Sequence, residues 1–345
     1  MTDLPPIPLM LRTRLAHATL QAIADDCGAE ILHIKGAAVD ASLLPIREDA
    51  PADATAAERA LPRLSADADV LVRPAHLKRF LAALKRHGWI RKSRLYSGGA
   101  VEHSVDWWQP ELGGVDVHVR FPGIRLAPER AFTKLWRDRT CVPIAHRACH
   151  VPTVDAQRLV LLLHAARNGG PDGADVGLAW ANATPAERKR VRELATSFDA
   201  EVALAGATGH LDDYADRPEY DLWRLLGQTD AEVFELWVSM VKAGPTNFDR
   251  VRAILYALQP KGDRLAPDLQ RQSAPIEVLH AHIKRLQRGG AGVLGLAYRA
   301  TSHRLPRRRT PDLERLKRHR RSFLSLCLHN HQCFDRDDPS SPTER

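Results

Sequence analysis

A chain of 345 residues with 44% hydrophobic content is long enough for two globular domains at about 100–200 residues each. No apolar run reaches the roughly 18 residues of a membrane span, Met1-Thr2-Asp3-Leu4-Pro5-Pro6 lacks the basic and apolar regions of a secretory signal, and the five scattered cysteines point to reduced thiols rather than a disulfide framework; the expectation is a cytoplasmic protein. The net charge of +8 is uneven, with nine Lys/Arg between residues 304 and 321 against Asp312 and Glu314, so the basic character is a C-terminal feature.

In chain order, residues 8–26 carry helical periodicity, with Leu9, Leu11, Leu15, Leu20 and Ile23 as candidate core positions, and Cys27-Gly28 ends the pattern. Glu30–Lys35 reads as a strand, Gly36 as a turn and Ala37–Leu44 as a short helix; a helix start presents free N–H groups to a phosphate. Residues 45–62, rich in Pro, Ala and acids, read as an inserted loop. A strand follows at 67–73, then a helix over His76–His87 with Leu77, Phe80, Leu81 and Leu84 at helical spacing, stopped by Gly88. Trp89–Leu95, Ala100–Trp108 and Val115–Phe121 read as strands. From about residue 125 the pattern turns helical, over Arg125–Arg137, Val154–Asn168, Pro185–Phe198, Asp230–Lys242 and Ile276–Arg288. The division expected is an α/β domain over 1–125, a helical domain over 126–300, and a basic helix with a flexible tail over 301–345.

Chemistry concentrates in Asp67-Ala68-Asp69-Val70-Leu71-Val72. Residues i and i+2 of a strand share a face, about 6.6–7 Å apart. Two carboxylates on one face of a core strand repel and are costly to desolvate, so they call for a cation; hard oxygen ligands favour Mg²⁺ or Mn²⁺. In Val115-Asp116-Val117-His118-Val119 the alternation puts Asp116 and His118 on one face and the valines on the other. If that strand lies beside 67–73, three carboxylates converge, a set that holds two divalent ions about 3.5–4 Å apart for in-line phosphoryl or nucleotidyl transfer. His118 would bind a substrate phosphate or fix Asp116 by a hydrogen bond.

His33-Ile34-Lys35-Gly36-Ala37-Ala38, Arg63 four residues before Asp67-x-Asp69, Gly88-Trp89, His103 and Asp116-x-His118 occur in this order. The series resembles the uncharacterised nucleotidyltransferase family of the polymerase-beta-like superfamily. The resemblance covers roughly residues 10–125, with a weaker echo in Leu161-Leu162-Leu163-His164-Ala165-Ala166. It implies an α+β fold, in which a polymerase-beta-like mixed sheet with flanking helices precedes a mainly helical domain. It also implies Mg²⁺-dependent transfer of a nucleoside monophosphate from NTP, ATP among the candidates, to a hydroxyl or phosphate acceptor that is a small molecule, a protein or RNA. On that match Asp67, Asp69 and Asp116 are the catalytic carboxylates and ligands of two Mg²⁺ ions, with Mn²⁺ as a substitute, and Asp116 activates the acceptor. Gly36 falls at the turn that approaches the triphosphate, where Ala37 replaces the superfamily's Ser and Lys35 supplies a point charge. Arg63 pairs with a phosphate or orients Asp67, and His118 completes the phosphate-facing set. Two departures stand out: Ala68 in place of Ile or Leu, and the length of 45–62.

Two other functions remain on the sequence: a nucleotide-binding regulator without turnover, and a nucleic-acid-binding protein acting through 304–321, where Lys/Arg contacts to phosphate release counterions. Aromatics for base stacking are absent from that segment, Phe323 being the only nearby one, and Leu313, Leu316 and Phe323 make part of the cluster the polar face of a helix. Cys327-x-His329-x-His331-x-Cys333 lacks the spacing and second pair of a structural zinc site. His164, within an apolar helical run, reads as a core histidine.

Overall fold

The computed structural model describes residues 7–51, 53–92, 104–228, 232–244 and 246–258. His103, the basic segment 304–321, the Cys/His string at 327–333 and the helix expected at 276–288 lie outside the described residues.

Helix α1 (Leu9–Cys27) opens the fold and is closed by Gly28 in the left-handed conformation, which glycine adopts without a Cβ penalty. Strands β1 (Ile31–His33) and β2 (Asp67–Val72) follow, separated by the 36–44 turns and a one-turn helix α2 (Ala56–Arg59). Helix α3 (Leu77–Arg86) then leads to β3 (Ile90–Arg91), β4 (Ser104–Gln109) and β5 (Gly113–His118). These build a five-stranded mixed sheet in the order β1-β2-β5-β4-β3, with β5 parallel to β2 and the other pairs antiparallel.

Alternation gives the two faces different work. Ala68, Val70 and Val72 of β2, Val105 and Trp107 of β4, and Val115 and Val117 of β5 are buried in one cluster with Leu20 of α1 and Phe80 and Leu84 of α3. Ala68 is fully enclosed there. The opposite face carries Asp67, Asp69 and Asp116, and beyond them Leu71 and Phe121 join a second core with the helices that follow. That core centres on α5 (Val154–Arg167), whose residues Leu159 to Leu163 are all buried. Around it stand α4 (Pro128–Arg137), α7 (Pro185–Ser197) and α8 (Glu201–Thr208), after the three-residue α6 (Ala174–Val176). Helices α9 (Tyr220–Leu226), α10 (Val233–Ala243) and α11 (Asn247–Leu258) complete the described chain. None of its helices is long and apolar enough to cross a membrane.

Three local expectations are corrected. Residues 37–44 form two three-residue 3₁₀ turns, Gly36–Ala38 and Ala41–Leu43, rather than a helix; between them Asp40 is extended and its side chain accepts the Ser42 N–H at 2.9 Å, a local bond that competes with helix continuation. The buried side of α1 holds Thr13, Ala16, His17, Leu20, Gln21, Ile23 and Ala24, while Leu9 and Leu11 are exposed and Leu15 is half-buried. Polar side chains take those buried positions because they find partners: His17 Nδ1 and His33 Nδ1 lie 2.8 Å apart, His33 Nε2 meets Gln21 Oε1 at 3.2 Å, and Gln21 donates to Asp25 at 2.7 Å. Finally, the region expected to be mainly helical contains a hairpin after α4, β6 (Thr140–Ile144) and β7 (Arg147–Val151). Its turn residues Ala145 and His146 both have positive φ, the geometry of a two-residue hairpin turn that usually carries Asn-Gly.

The turn after β5 ties the sheet to the helices. Gly123 has φ +93°, and a Cβ there would lie 2.9 Å from Ala203 Cβ and 3.0 Å from Leu163 Cδ2. Gly123→Ala therefore combines left-handed strain with overpacking and should lower unfolding stability by about 2–4 kcal/mol. Urea denaturation measures this; a midpoint equal to wild type would contradict the close packing described.

Candidate active site

The parallel register of β2 and β5 sets Asp69 opposite Asp116 and Leu71 opposite His118. The antiparallel register of β4 and β5 sets Asp106 opposite Asp116. Directly paired residues share a face, so Asp69, Asp116 and Asp106 form a row across three adjacent strands, with Asp67 one pleat away from Asp69. Sequence reasoning missed Asp106. Its signal was present in the alternation Val105-Asp106-Trp107, but a row across strands becomes visible only once the pairing is known.

Asp69 is the hub. It is buried, and its Oδ1 accepts from Lys35 Nζ at 2.7 Å and from His118 Nε2 at 2.9 Å. Burial pushes this carboxyl up, but the His118 hydrogen bond and the Lys35 charge outweigh it and hold the group below the ordinary carboxylate range. Such a shift is expected when a buried anion is bonded to cationic and N–H donors. Asp116 goes the other way: burial first, then the charges of Asp106, Asp69 and Asp67, raise it to about 8. Asp67 is raised in the same sense, by burial and then by Asp69, and it accepts a 3.3 Å hydrogen bond from Ser65 Oγ. Lys35 thus pairs with Asp69, while burial and the neighbouring carboxylates favour a proton on Asp116.

This donor set fits a hard divalent cation. Asp69, Asp116 and His118 each offer a ligand atom, all within 4.8 Å of one another, and carboxylate oxygens that repel and retain protons are the environment a cation relieves.

The other residues singled out by sequence occupy distinct places. Gly36 is buried at φ +60° directly after Lys35, so the strand end can turn while Lys35 reaches Asp69. His118 is fully buried and bonded to Asp69, not to Asp116; its ring positions Asp69. Arg63 does not orient Asp67: its guanidinium forks onto Asp175 of α6. His164 is only half-buried, and its imidazole is pushed down to about 4 by burial and then by the charges of Lys35 and Arg167. It therefore stands near the carboxylate face rather than inside the core.

A pH dependence follows. Asp116 is protonated in the folded protein but ionised in the unfolded chain between about pH 4 and 8, so stability falls as pH rises through that window. Asn binds no proton in either state. Asp116→Asn should be more stable than wild type in the absence of metal, by an amount that grows from pH 4 to 8 and then levels. Melting temperatures across pH measure this; a constant difference would contradict the raised Asp116 carboxyl.

With this geometry established, comparison with known proteins adds a family match over part of the chain. Residues 54–215 match the family described as uncharacterised nucleotidyltransferase. Among solved structures, that of the antibiotic-resistance factor ANT(2'')-Ia in solution is similar at 13% identity and a TM-score of 0.31, over 59% of this chain and 93% of that one. No curated protein matches the chain.

Proposed function

We propose, from the match of residues 54–215 to the uncharacterised nucleotidyltransferase family and from the carboxylate row, that the protein is a Mg²⁺-dependent enzyme moving a nucleoside monophosphate from NTP to an acceptor hydroxyl. The observation that carries this reading is the register of β2 against β5, which sets Asp69 beside Asp116 with Lys35 on Asp69. Asp67, Asp69 and Asp116 would hold the divalent ions. When bound, these supply positive charge to the reacting phosphate and to the leaving pyrophosphate.

The chain's own groups account for the rest. Asp116 is the carboxylate proposed to take the proton of the acceptor hydroxyl as its oxygen bonds to the α-phosphorus and the bond to pyrophosphate breaks, because bound cations would relieve the repulsion that otherwise keeps it protonated. Lys35, at the strand end beside Gly36, offers its ammonium to the polyphosphate as a point charge. His118 keeps Asp69 ionised and fixed in orientation through its Nε2–H. Mn²⁺ would substitute for Mg²⁺, since both favour oxygen ligands.

The test is incubation of the protein with each α-labelled NTP, Mg²⁺ and a broad panel of hydroxyl acceptors. Label transfer and pyrophosphate release are expected, lost on chelation and reduced at least about a hundredfold, the order seen when one electrostatic stabiliser is removed, in Asp67→Ala/Asp69→Ala. Equal transfer by both proteins would remove these carboxylates from the mechanism. Mg²⁺-dependent NTP binding with no pyrophosphate release across the panel would replace catalysis with nucleotide sensing.

A further inference from the structure

A cleft of about 180 Å³ lies between the start of α1, the turns after Gly36 and the segment 57–65. Met10, Val39, Leu44 and Pro62 give it aliphatic walls, and Arg14 and Ser65 are among its polar lining groups. Two links join it to the carboxylates. Gly36 in its wall directly follows Lys35, which holds Asp69, and Ser65 Oγ donates to the Asp67 backbone carbonyl at 2.8 Å and lies 3.3 Å from the Asp67 carboxylate. Beneath Gly36 sits an unsatisfied group: His17 is fully buried and its Nε2 has no hydrogen-bond partner. The point a Gly36 Cβ would occupy is 3.4 Å from both His17 Nε2 and Ser65 Oγ, so these two polar atoms face one place in the cleft wall.

The lining discriminates between occupants. A nucleobase is read by stacking on aromatic rings and by hydrogen bonds to its edges, yet no aromatic, amide or carboxylate side chain lines the cleft among the described residues. Aliphatic walls instead accept a hydrocarbon chain. Arg14 makes no ion pair among the described residues, whereas Arg63 is committed to Asp175; a guanidinium left so is suited to a carboxylate.

We propose that this cleft is the acceptor subsite and that the acceptor is a small aliphatic hydroxy acid. Its carboxylate pairs with Arg14, its chain lies against Met10, Val39 and Leu44, and its hydroxyl is directed to Ser65 and the carboxylate row. Since an apolar cavity of about 150 Å³ holds benzene, the space suits about seven or eight non-hydrogen atoms. The acceptor role rests on the nucleotidyl-transfer reading above. In that step the hydroxyl oxygen bonds to the α-phosphorus, its proton passes to Asp116, and the bond to the bridging oxygen breaks to release pyrophosphate, leaving a phosphodiester of the hydroxy acid.

The experiment has a binding arm and a transfer arm, with 5-hydroxyvalerate as the probe and the full chain as the protein. Without nucleotide, saturation-transfer NMR and calorimetry should show binding at least about tenfold tighter than that of the neutral 1,5-pentanediol, the order of one good charge-assisted contact. Arg14→Gln should erase this preference. Ala57→Phe, which fills the cleft from an exposed position, should abolish binding of both compounds while the melting temperature stays at the wild-type value. With α-labelled NTP and Mg²⁺, label should pass to 5-hydroxyvalerate in wild type and not in Ala57→Phe. Absence of binding, or binding untouched by both substitutions, overturns the subsite whatever the transfer arm gives. Binding that responds to both substitutions, in a protein that transfers label to no acceptor, upholds the hydroxy-acid cleft and overturns the nucleotidyl-transfer reading. Binding without transfer, in a protein that labels a different acceptor, overturns the acceptor role.

Discussion

Electrostatic repulsion within a row of carboxylates is the constraint around which this protein is built. Asp69, Asp116 and Asp106 face the same way on three adjacent strands, with Asp67 beside them. Like charges placed directly opposite destabilise a sheet, and desolvation adds to that cost. The register survives because the reverse face of β2, β4 and β5 is mainly apolar, from Ala68, Val70 and Val72 to Val105, Val115 and Val117. A one-residue slip would send every one of these side chains to the wrong side. The core under α1 and α3 therefore holds in place an arrangement that the site alone would not choose.

The charge balance of the row turns on Asp69. Lys35 and His118 both spend a hydrogen-bond donor on its Oδ1, which keeps that carboxyl ionised while Asp116 retains a proton. Neighbouring carboxyls driven in opposite directions are a recurrent sign of acid–base and metal chemistry. Lys35 also sits directly before Gly36, a glycine with positive φ that lines the cleft. Stability and the proposed function meet in Lys35: its ammonium is bonded to Asp69, the buried hub of the row, and is the charge proposed for a polyphosphate.

Much of this was legible in sequence because a strand displays its faces in its spelling. Asp67-x-Asp69 and Asp116-x-His118 announce shared faces, and Lys35-Gly36 announces a strand ending in a turn. Pairing partners are not spelled out. That β5 runs parallel beside β2, that Asp106 joins the row, and that Arg63 meets Asp175 more than a hundred positions later depend on tertiary contacts. Where polar residues were buried, periodicity misled: α1 turns His17 and Gln21 inward because His33 and Asp25 satisfy them, so its exposed leucines looked like core. The hairpin at 140–151 escaped notice because Ala145-His146 takes up positive φ without the Asn-Gly that ordinarily marks such a turn. His164 read as core from its apolar neighbours, and only the packing of α5 shows it near the charges of Lys35 and Asp69.

The central claim is that the Asp69–Asp116 pair holds a divalent cation at the reacting phosphate, and anomalous scattering from Mn²⁺ in crystals grown with a non-hydrolysable NTP analogue tests it most directly. The account predicts a Mn²⁺ peak coordinated by carboxylate oxygens of Asp69 and Asp116 and by the analogue's phosphate oxygens, absent from crystals of Asp69→Asn. Bound analogue with no Mn²⁺ at these carboxylates, and with Lys35 still seated on Asp69, would contradict it.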